Sequence, residues 1–241
     1  MIFLLIYDIL FNIIGKEIIF NKKIAMRLYP AFKRTFDIAS SLFAIMLLLP
    51  IIAAISFVIS MESPGGPFFI QDRVGKGGKN FRIVKFRTMR RDADHKGSII
   101  AGNGDYRVTR IGKLLRDTKL DEFPNLINVL LGQMSIVGPR PELPQFLPYY
   151  QDGFREIFAV RPGLTGPAQL VYFYEYSLLP KDNVEEYYQN TIMRHKLDID
   201  LEYARNCNMQ WDFSLVFCTL SRLLIREKGG DRREGKSVLP G

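Results

Sequence analysis

Cysteine and histidine are both scarce, with two of each among 241 residues. Cys207 and Cys218 lie 11 positions apart, a spacing that fits neither a zinc motif nor a redox pair and leans towards a reducing compartment. His95 and His195 are isolated from one another, so no histidine-built metal centre is expected, and both read as solvated surface residues. No internal repeat is visible. The start makes a poor signal peptide too: Ile2 to Ile14 is apolar, but Asp8 interrupts it, and it has neither a basic start nor a small-residue cleavage site. That stretch is too short to span a bilayer and reads as an interfacial or packing helix. With 47% hydrophobic and 24% charged residues, disordered, collagen-like and disulfide-scaffold classes are excluded. The length allows one domain, or a domain plus a membrane element.

What is present is positive charge and one long apolar run. Lys and Arg number 33 against 25 Asp and Glu, a net +8, which calls for an anionic partner such as a membrane surface or a phosphorylated substrate. Nucleic acid is discounted, because no DNA- or RNA-binding signature accompanies the basic residues. Ile38 to Met61 forms 24 positions without a charge, bounded by Asp37 and Glu62. As a helix it would run about 36 Å, against about 30 Å of bilayer hydrocarbon. Thirteen of the 24 are Leu, Ile, Phe or Val, while four serines and Pro50 oppose insertion. Both flanks are basic, with Lys33 and Arg34 upstream and Arg73 to Arg91 downstream. The positive-inside rule assigns both to the cytoplasm. A helix that breaks at Pro50 and returns satisfies this; a kinked single span oriented by its downstream charge is the alternative.

Beyond the turn Pro64-Gly65-Gly66-Pro67, Phe68–Ile70 and Phe81–Phe86 have strand character, and Gly75 to Lys79 between them suggests a β-hairpin. Arg90 to Asp105 reads as a surface loop, and a short helix is expected from Arg110. Asp121-Glu122-Phe123-Pro124 should open another helix, ending near Gly132. Val184 to Tyr203 and Phe213 to Ile225 look like amphipathic helices, the second suited to a membrane surface. The tail from Arg226 reads as mobile.

Asp121 and Glu122 are adjacent carboxylates at an expected helix start, where the dipole favours their ionised form. With Arg116 upstream and Arg140 downstream they suit phosphoryl transfer: a carboxylate attacks phosphorus or binds Mg²⁺, and guanidinium groups hold the oxygens. Helix capping with surface ion pairs is the plainer alternative. Pro139 and Pro141 restrict the backbone on either side of Arg140 and so fix its direction, as a phosphate clamp requires. Arg82, Lys85, Arg87, Arg90 and Arg91 form a basic patch.

These residues resemble the bacterial sugar transferase family, the monotopic polyprenol-phosphate phosphoglycosyl transferases. The resemblance rests on Gly66 to Gly75, Lys85-Phe86-Arg87-Thr88-Met89, Arg107 through Leu126, Ser135-Ile136-Val137-Gly138-Pro139-Arg140-Pro141-Glu142 and Arg161 to Gly166. It implies transfer of a sugar-1-phosphate from a UDP-sugar to undecaprenyl phosphate, with Asp121 as nucleophile and Glu122 in Mg²⁺ coordination or proton handling. It also implies a phosphate site at Arg116 and Arg140, with Lys85, Arg87, Pro139 and Pro141 on the substrate side. Further, it implies a re-entrant helix broken at Leu49-Pro50, with Lys33 and Arg34 at the membrane surface. The family's later phosphate-binding arginine has no counterpart in Pro167 to Glu175.

The expected chain is α/β and mostly helical: an N-terminal extension (1–29), a re-entrant membrane helix (30–62), a small cytoplasmic catalytic domain with a β-hairpin and amphipathic interfacial helices (63–225), and a mobile tail (226–241). It would sit on the cytoplasmic face of a bacterial inner membrane and initiate a lipid-linked surface glycan such as lipopolysaccharide or exopolysaccharide. Self-association is left open. The rival readings are a Mg²⁺-dependent phosphotransferase without a covalent step and a non-enzymatic membrane adaptor.

Overall fold

The computed structural model describes residues 22–90, 105–150, 153–173, 175–180 and 183–224. The expected helix at Ile2 to Ile14, most of the Arg90 to Asp105 loop, His95 and the tail from residue 226 lie outside these. Helix α1 (Lys22–Glu62) is already helical at Lys22, ahead of the expected start at residue 30, and passes through Pro30 and Pro50. Pro50 lies inside this helical element rather than ending it, and its missing backbone donor leaves a point where the helix can kink. Its exposed residues include Phe43, Met46, Leu47, Leu49 and Phe57, and only 6% of its most apolar 18-residue window is buried. The four serines bond to carbonyls of their own helix: Ser40 to Phe36, Ser41 to Ile38, Ser56 to Ile52 and Ser60 to Ser56. That satisfies their hydroxyls locally and lessens the opposition to an apolar environment.

Both flanks of α1 pack on the rest of the chain. Upstream, Arg34 donates to the carbonyls of Val129 and Leu130. Asp37, 1% exposed, accepts from the Ser135 hydroxyl and the Ile136 amide. Downstream, Ile52, Ile55 and Ile59 join Phe86 and Leu115 in an apolar cluster, and Glu62 accepts from the Ile111 amide.

Strands β1 (Phe68–Val74) and β2 (Asn80–Phe86) form the expected antiparallel hairpin in the register Phe68 to Phe86 and Val74 to Asn80. They are longer than their apolar stretches because the ladder continues through Asp72 and Arg82 to the glycine turn. Helix α2 (Arg110–Asp117) starts as expected at Arg110, capped by Thr109, whose hydroxyl accepts from the Gly112 amide. A Cβ on Gly112 would lie 2.0 Å from the Thr88 carbonyl oxygen, so only glycine lets α2 approach the end of β2 this closely. A 3₁₀ turn (Leu120–Asn125) then leads into the short helix α3 (Leu126–Leu130), which Gly132 ends at φ +81°.

Strand β3 (Ser135–Val137) pairs in parallel with β4 (Gly163–Thr165). Their crossing is glycine-dependent: added Cβ atoms on Gly138, Gly163 and Gly166 would each meet backbone within 2.3 Å. Helices α4 (Pro167–Val171), α5 (Glu175–Leu178), α6 (Val184–Tyr187), α7 (Arg194–Asn206) and α8 (Met209–Leu224) follow, with a π turn (Tyr188–Met193) joining α6 to α7. The largest apolar cluster, around Phe146, Tyr188, Ile192 and Leu197, lies under this C-terminal half. Asp212 on α8 accepts from Tyr29, Lys33 and Tyr203, tying α1, α7 and α8 together.

Candidate active site

Asp121 and Glu122 stand in the 3₁₀ turn, not at the start of an α-helix, so the helix dipole is not what governs their charge. Lys119 precedes the turn in the left-handed conformation (φ 58°, ψ 14°), which costs an L-residue with a Cβ roughly 1–2 kcal/mol. The two carboxylates differ sharply. Oε1 of Glu122 accepts from Lys85 Nζ at 2.6 Å and from Arg140 at 3.4 Å. Burial opposes its ionised form, but Lys85, Arg140 and Lys119 outweigh it and hold the carboxyl well below the usual range. The Asp121 carboxylate makes no hydrogen bond or ion pair among the described residues. Burial and then the neighbouring Glu122 charge push its carboxyl up, against Lys85, Lys119 and Arg116. The sequence expectation that both would be favoured as anions holds for Glu122 and is reversed for Asp121.

The cations reach this point from separate elements. Lys85 comes from β2, where its inward position follows from strand alternation. Arg116 comes from the last turn of α2, its Nε donating to the Thr88 hydroxyl at 2.8 Å. Arg140 comes from the loop after β3. There Pro139 accepts from the Gly163 amide, and Pro141 from Arg73, so both buried prolines also fix the loop through their carbonyls. The Arg140 amide points at Asp200 (3.4 Å), whose carboxyl burial pushes up to about 7.

Lys85, Glu122 and Arg140 open on a small cleft also lined by Arg73, Asn125 and Gln169. Its enclosed space, about 10 Å³, is about that of one water against the roughly 300–1,000 Å³ of a typical ligand pocket, so a nucleotide sugar must extend beyond it. Three buried polar atoms, Arg73 Nε, Asn125 Oδ1 and Gln169 Oε1, have no partner among the described residues and belong to residues lining this cleft. Behind Arg140 runs a buried chain: Tyr188 donates to Glu142 (2.8 Å), and Lys196 donates to Tyr188 (3.0 Å) and Glu175 (3.1 Å).

Lys85, Arg116, Arg140, Asp121 and Glu122 thus converge as expected, and Pro139 and Pro141 hold the loop. Arg87 does not join them. Its two terminal guanidinium nitrogens donate to the Ser63 carbonyl and hydroxyl and the Pro64 carbonyl, clasping the end of α1 to the hairpin. Lys33 pairs with Asp212 at 2.6 Å and Arg34 caps α3, so both face protein groups. His195 is half-buried, not solvated, and its Nδ1 lies 2.7 Å from the Tyr172 hydroxyl. Sequence reasoning missed Lys119, Arg73, Glu175, Lys196 and Asp200. Lys119 was findable by its adjacency to the dyad, whereas Glu175 and Lys196 meet only through folding.

Comparison with known proteins agrees with the resemblance. The family model described as bacterial sugar transferase matches residues 28–226. A UDP-N-acetylgalactosamine-undecaprenyl-phosphate N-acetylgalactosaminephosphotransferase of Aeromonas hydrophila is 39% identical over 204 residues, 82% of this chain but 44% of the relative. The exopolysaccharide production protein PSS of Rhizobium leguminosarum is 37% identical, covering 82% of this chain and 97% of its own length. A UDP-glucose:undecaprenyl-phosphate glucose-1-phosphate transferase of Caulobacter vibrioides is 36% identical, covering 81% and 70%.

Proposed function

The chain belongs to the bacterial sugar transferase family, and from that premise we propose that it transfers a sugar-1-phosphate from a UDP-sugar to undecaprenyl phosphate through a covalent intermediate on Asp121. The observation that carries this reading is the asymmetry of the dyad. The Asp121 carboxylate has no bonded partner among the described residues and is made more basic by its surroundings, while Glu122 is clamped between Lys85 and Arg140. A carboxylate oxygen of Asp121 attacks the phosphorus that bears the sugar. The bond from that phosphorus to the bridging oxygen breaks, and UMP leaves with its electron pair. An oxygen of undecaprenyl phosphate then attacks the same phosphorus and displaces the Asp121 carboxylate. Arg140 and Arg116 balance charge on the phosphoryl oxygens, and Glu122 holds Lys85 and Arg140 in place.

Mg²⁺ fits the donor set in one manner. Among the described residues no cluster of three metal-ligating side chains exists, so Asp121 and Glu122 would supply two carboxylates and water and diphosphate oxygens the rest. When bound, it supplies neutralisation of diphosphate charge.

The exposed apolar stretch of α1 enters the cytoplasmic leaflet of the inner membrane, bends at Pro50 and returns. This is supported by both flanks packing on the same small domain while Leu42 to Ile51 make little contact with it. The exposed Phe213, Phe217, Leu220 and Leu224 of α8, whose Phe213 ring meets Phe36 at 5.3 Å, extend that surface as an interfacial face. The product would initiate a lipid-linked surface glycan.

The test is UMP release with undecaprenyl phosphate, offering first UDP-N-acetylgalactosamine and UDP-glucose, the donors named for the relatives. Wild-type protein should release UMP, and a phosphosugar should be trapped on Asp121. Asp121→Asn should abolish release while the protein stays in the membrane. Turnover retained in that variant would overturn the covalent route and favour direct Mg²⁺-dependent transfer. Full cellular function with both dyad residues replaced would favour an adaptor.

A further inference from the structure

Of the cations around the dyad, Lys85 and Arg140 are bonded to Glu122, Arg116 to Thr88, and Arg73 to Pro141 and Gln71. Lys119 differs. Among the described residues no carboxylate lies within ion-pair distance of its ammonium and no acceptor takes a hydrogen bond from it. Instead Nζ stands 5.1 Å from the centre of the Phe173 ring, and the Arg222 guanidinium lies 5.1 Å from the same ring. An aromatic face attracts a cation but takes up none of its N–H donors in ordinary hydrogen bonds. The ammonium is thereby positioned with donors to spare, one residue from Leu120 and two from Asp121.

The backbone gives a second reason to look here. A left-handed residue ahead of the catalytic turn is made with least strain by glycine or asparagine. Among the described residues none makes an ion pair or hydrogen bond with the lysine's charge, yet a lysine occupies this strained position at the reacting carboxylate.

We propose that Lys119 binds phosphate oxygens of the reacting substrates, as a cation of this site in addition to Arg116 and Arg140. The inference rests on the phosphoryl-transfer reading above. A donor diphosphate arriving beside two carboxylates brings further negative charge, and Lys85 is already engaged by Glu122. A compact ammonium whose donors meet no acceptor among the described residues suits an anion whose oxygens shift during transfer. The segment after Gly166 supplies no arginine; it supplies Phe173, the ring on which Lys119 rests. The phosphate contacted belongs either to the UDP-sugar or to undecaprenyl phosphate, and the kinetics separate the two.

The experiment uses the full chain in lipid nanodiscs with Lys119→Met, which keeps length and removes charge, Lys119→Gly, which relieves the left-handed turn, and Lys119→Arg. Loss of one charged hydrogen bond corresponds to roughly a 10- to 100-fold fall in kcat/KM. Lys119→Met and Lys119→Gly should both show it, and Lys119→Arg should recover most of it. A fall for the UDP-sugar, with UDP binding weakened and uridine binding unchanged, assigns the donor phosphate. A fall confined to undecaprenyl phosphate assigns the lipid phosphate. Unchanged kcat/KM for both substrates, or UDP and uridine weakened alike, overturns the proposal. Absence of UMP release by the wild-type protein would sink the underlying reaction instead, while the UDP-against-uridine comparison would still report on Lys119.

Discussion

Two neighbouring carboxylates in one turn carry opposite perturbations because only one has partners. Glu122 receives Lys85 and Arg140, and its anion is stabilised; Asp121 receives neither and faces the Glu122 charge while buried. The sign for catalysis follows. A nucleophile must be ionised, so UMP release should fall as pH drops through a pKa raised above the ordinary aspartate value. Glu122→Gln removes the neighbouring anion and leaves the cations, so it should move that acid limb to lower pH even as the rate declines. A pH profile of kcat/KM for both proteins checks this; a limb that stays fixed or moves up would show that Glu122 does not set the charge of Asp121. The identities of the dyad, Arg116 and Arg140 were legible in the sequence. The division of labour between the carboxylates was not, because it depends on which side chains lie within 3.4 Å.

At the level of elements, the site depends on close backbone approach. Helix α2 can bring Arg116 to the Thr88 hydroxyl only because Gly112 has no Cβ to meet the Thr88 carbonyl. Gly112→Ala should force α2 away, destabilising the fold by about 1–3 kcal/mol or more. For a chain of this size that is a fall of at least ~2 °C in thermal midpoint. Activity should drop further than stability explains, since Arg116 loses its anchor. Thermal unfolding and UMP release measured on the same preparation test this, and activity preserved at full would mean that the α2 contact does not position the site. The hairpin and the start of α2 were readable from alternation, the glycine turn and the Thr109 cap. The 3₁₀ geometry of the dyad turn was not: Pro124 and the acidic pair also suit a helical first turn, and packing of this turn against β2 and α3 decided otherwise.

For the molecule as a whole, α1 is both anchor and structural member. Its middle is exposed and apolar, while Arg34, Asp37 and Ile59 are held by the domain. If α1 re-enters, both its ends face the cytoplasm. On a background lacking Cys207 and Cys218, a cysteine at Lys76 and another at the N-terminus should both escape an impermeant thiol reagent in spheroplasts and both react in inverted vesicles. Pro50→Leu, which restores the helical hydrogen bond and so opposes a bend there, should expose the N-terminal label in a fraction of molecules and lower activity. Labelling of the N-terminal cysteine in the wild-type spheroplasts would establish a spanning helix. Arg87, placed by sequence with the substrate-binding cations, belongs to this scale: it clasps Ser63 and Pro64 where α1 meets the hairpin.

By itself the sequence determined the family, the apolar helix, the hairpin and the identity of the dyad. These are written in contiguous residues, in periodicity and in ordered blocks of local motif. The tertiary structure alone decided which cations lie beside the dyad, that Arg87 and Lys33 bond to the scaffold, and that Lys119 rests on the Phe173 ring. Coulombic and hydrogen-bond energies depend on distances between groups tens of residues apart, and those distances exist only once the chain has packed.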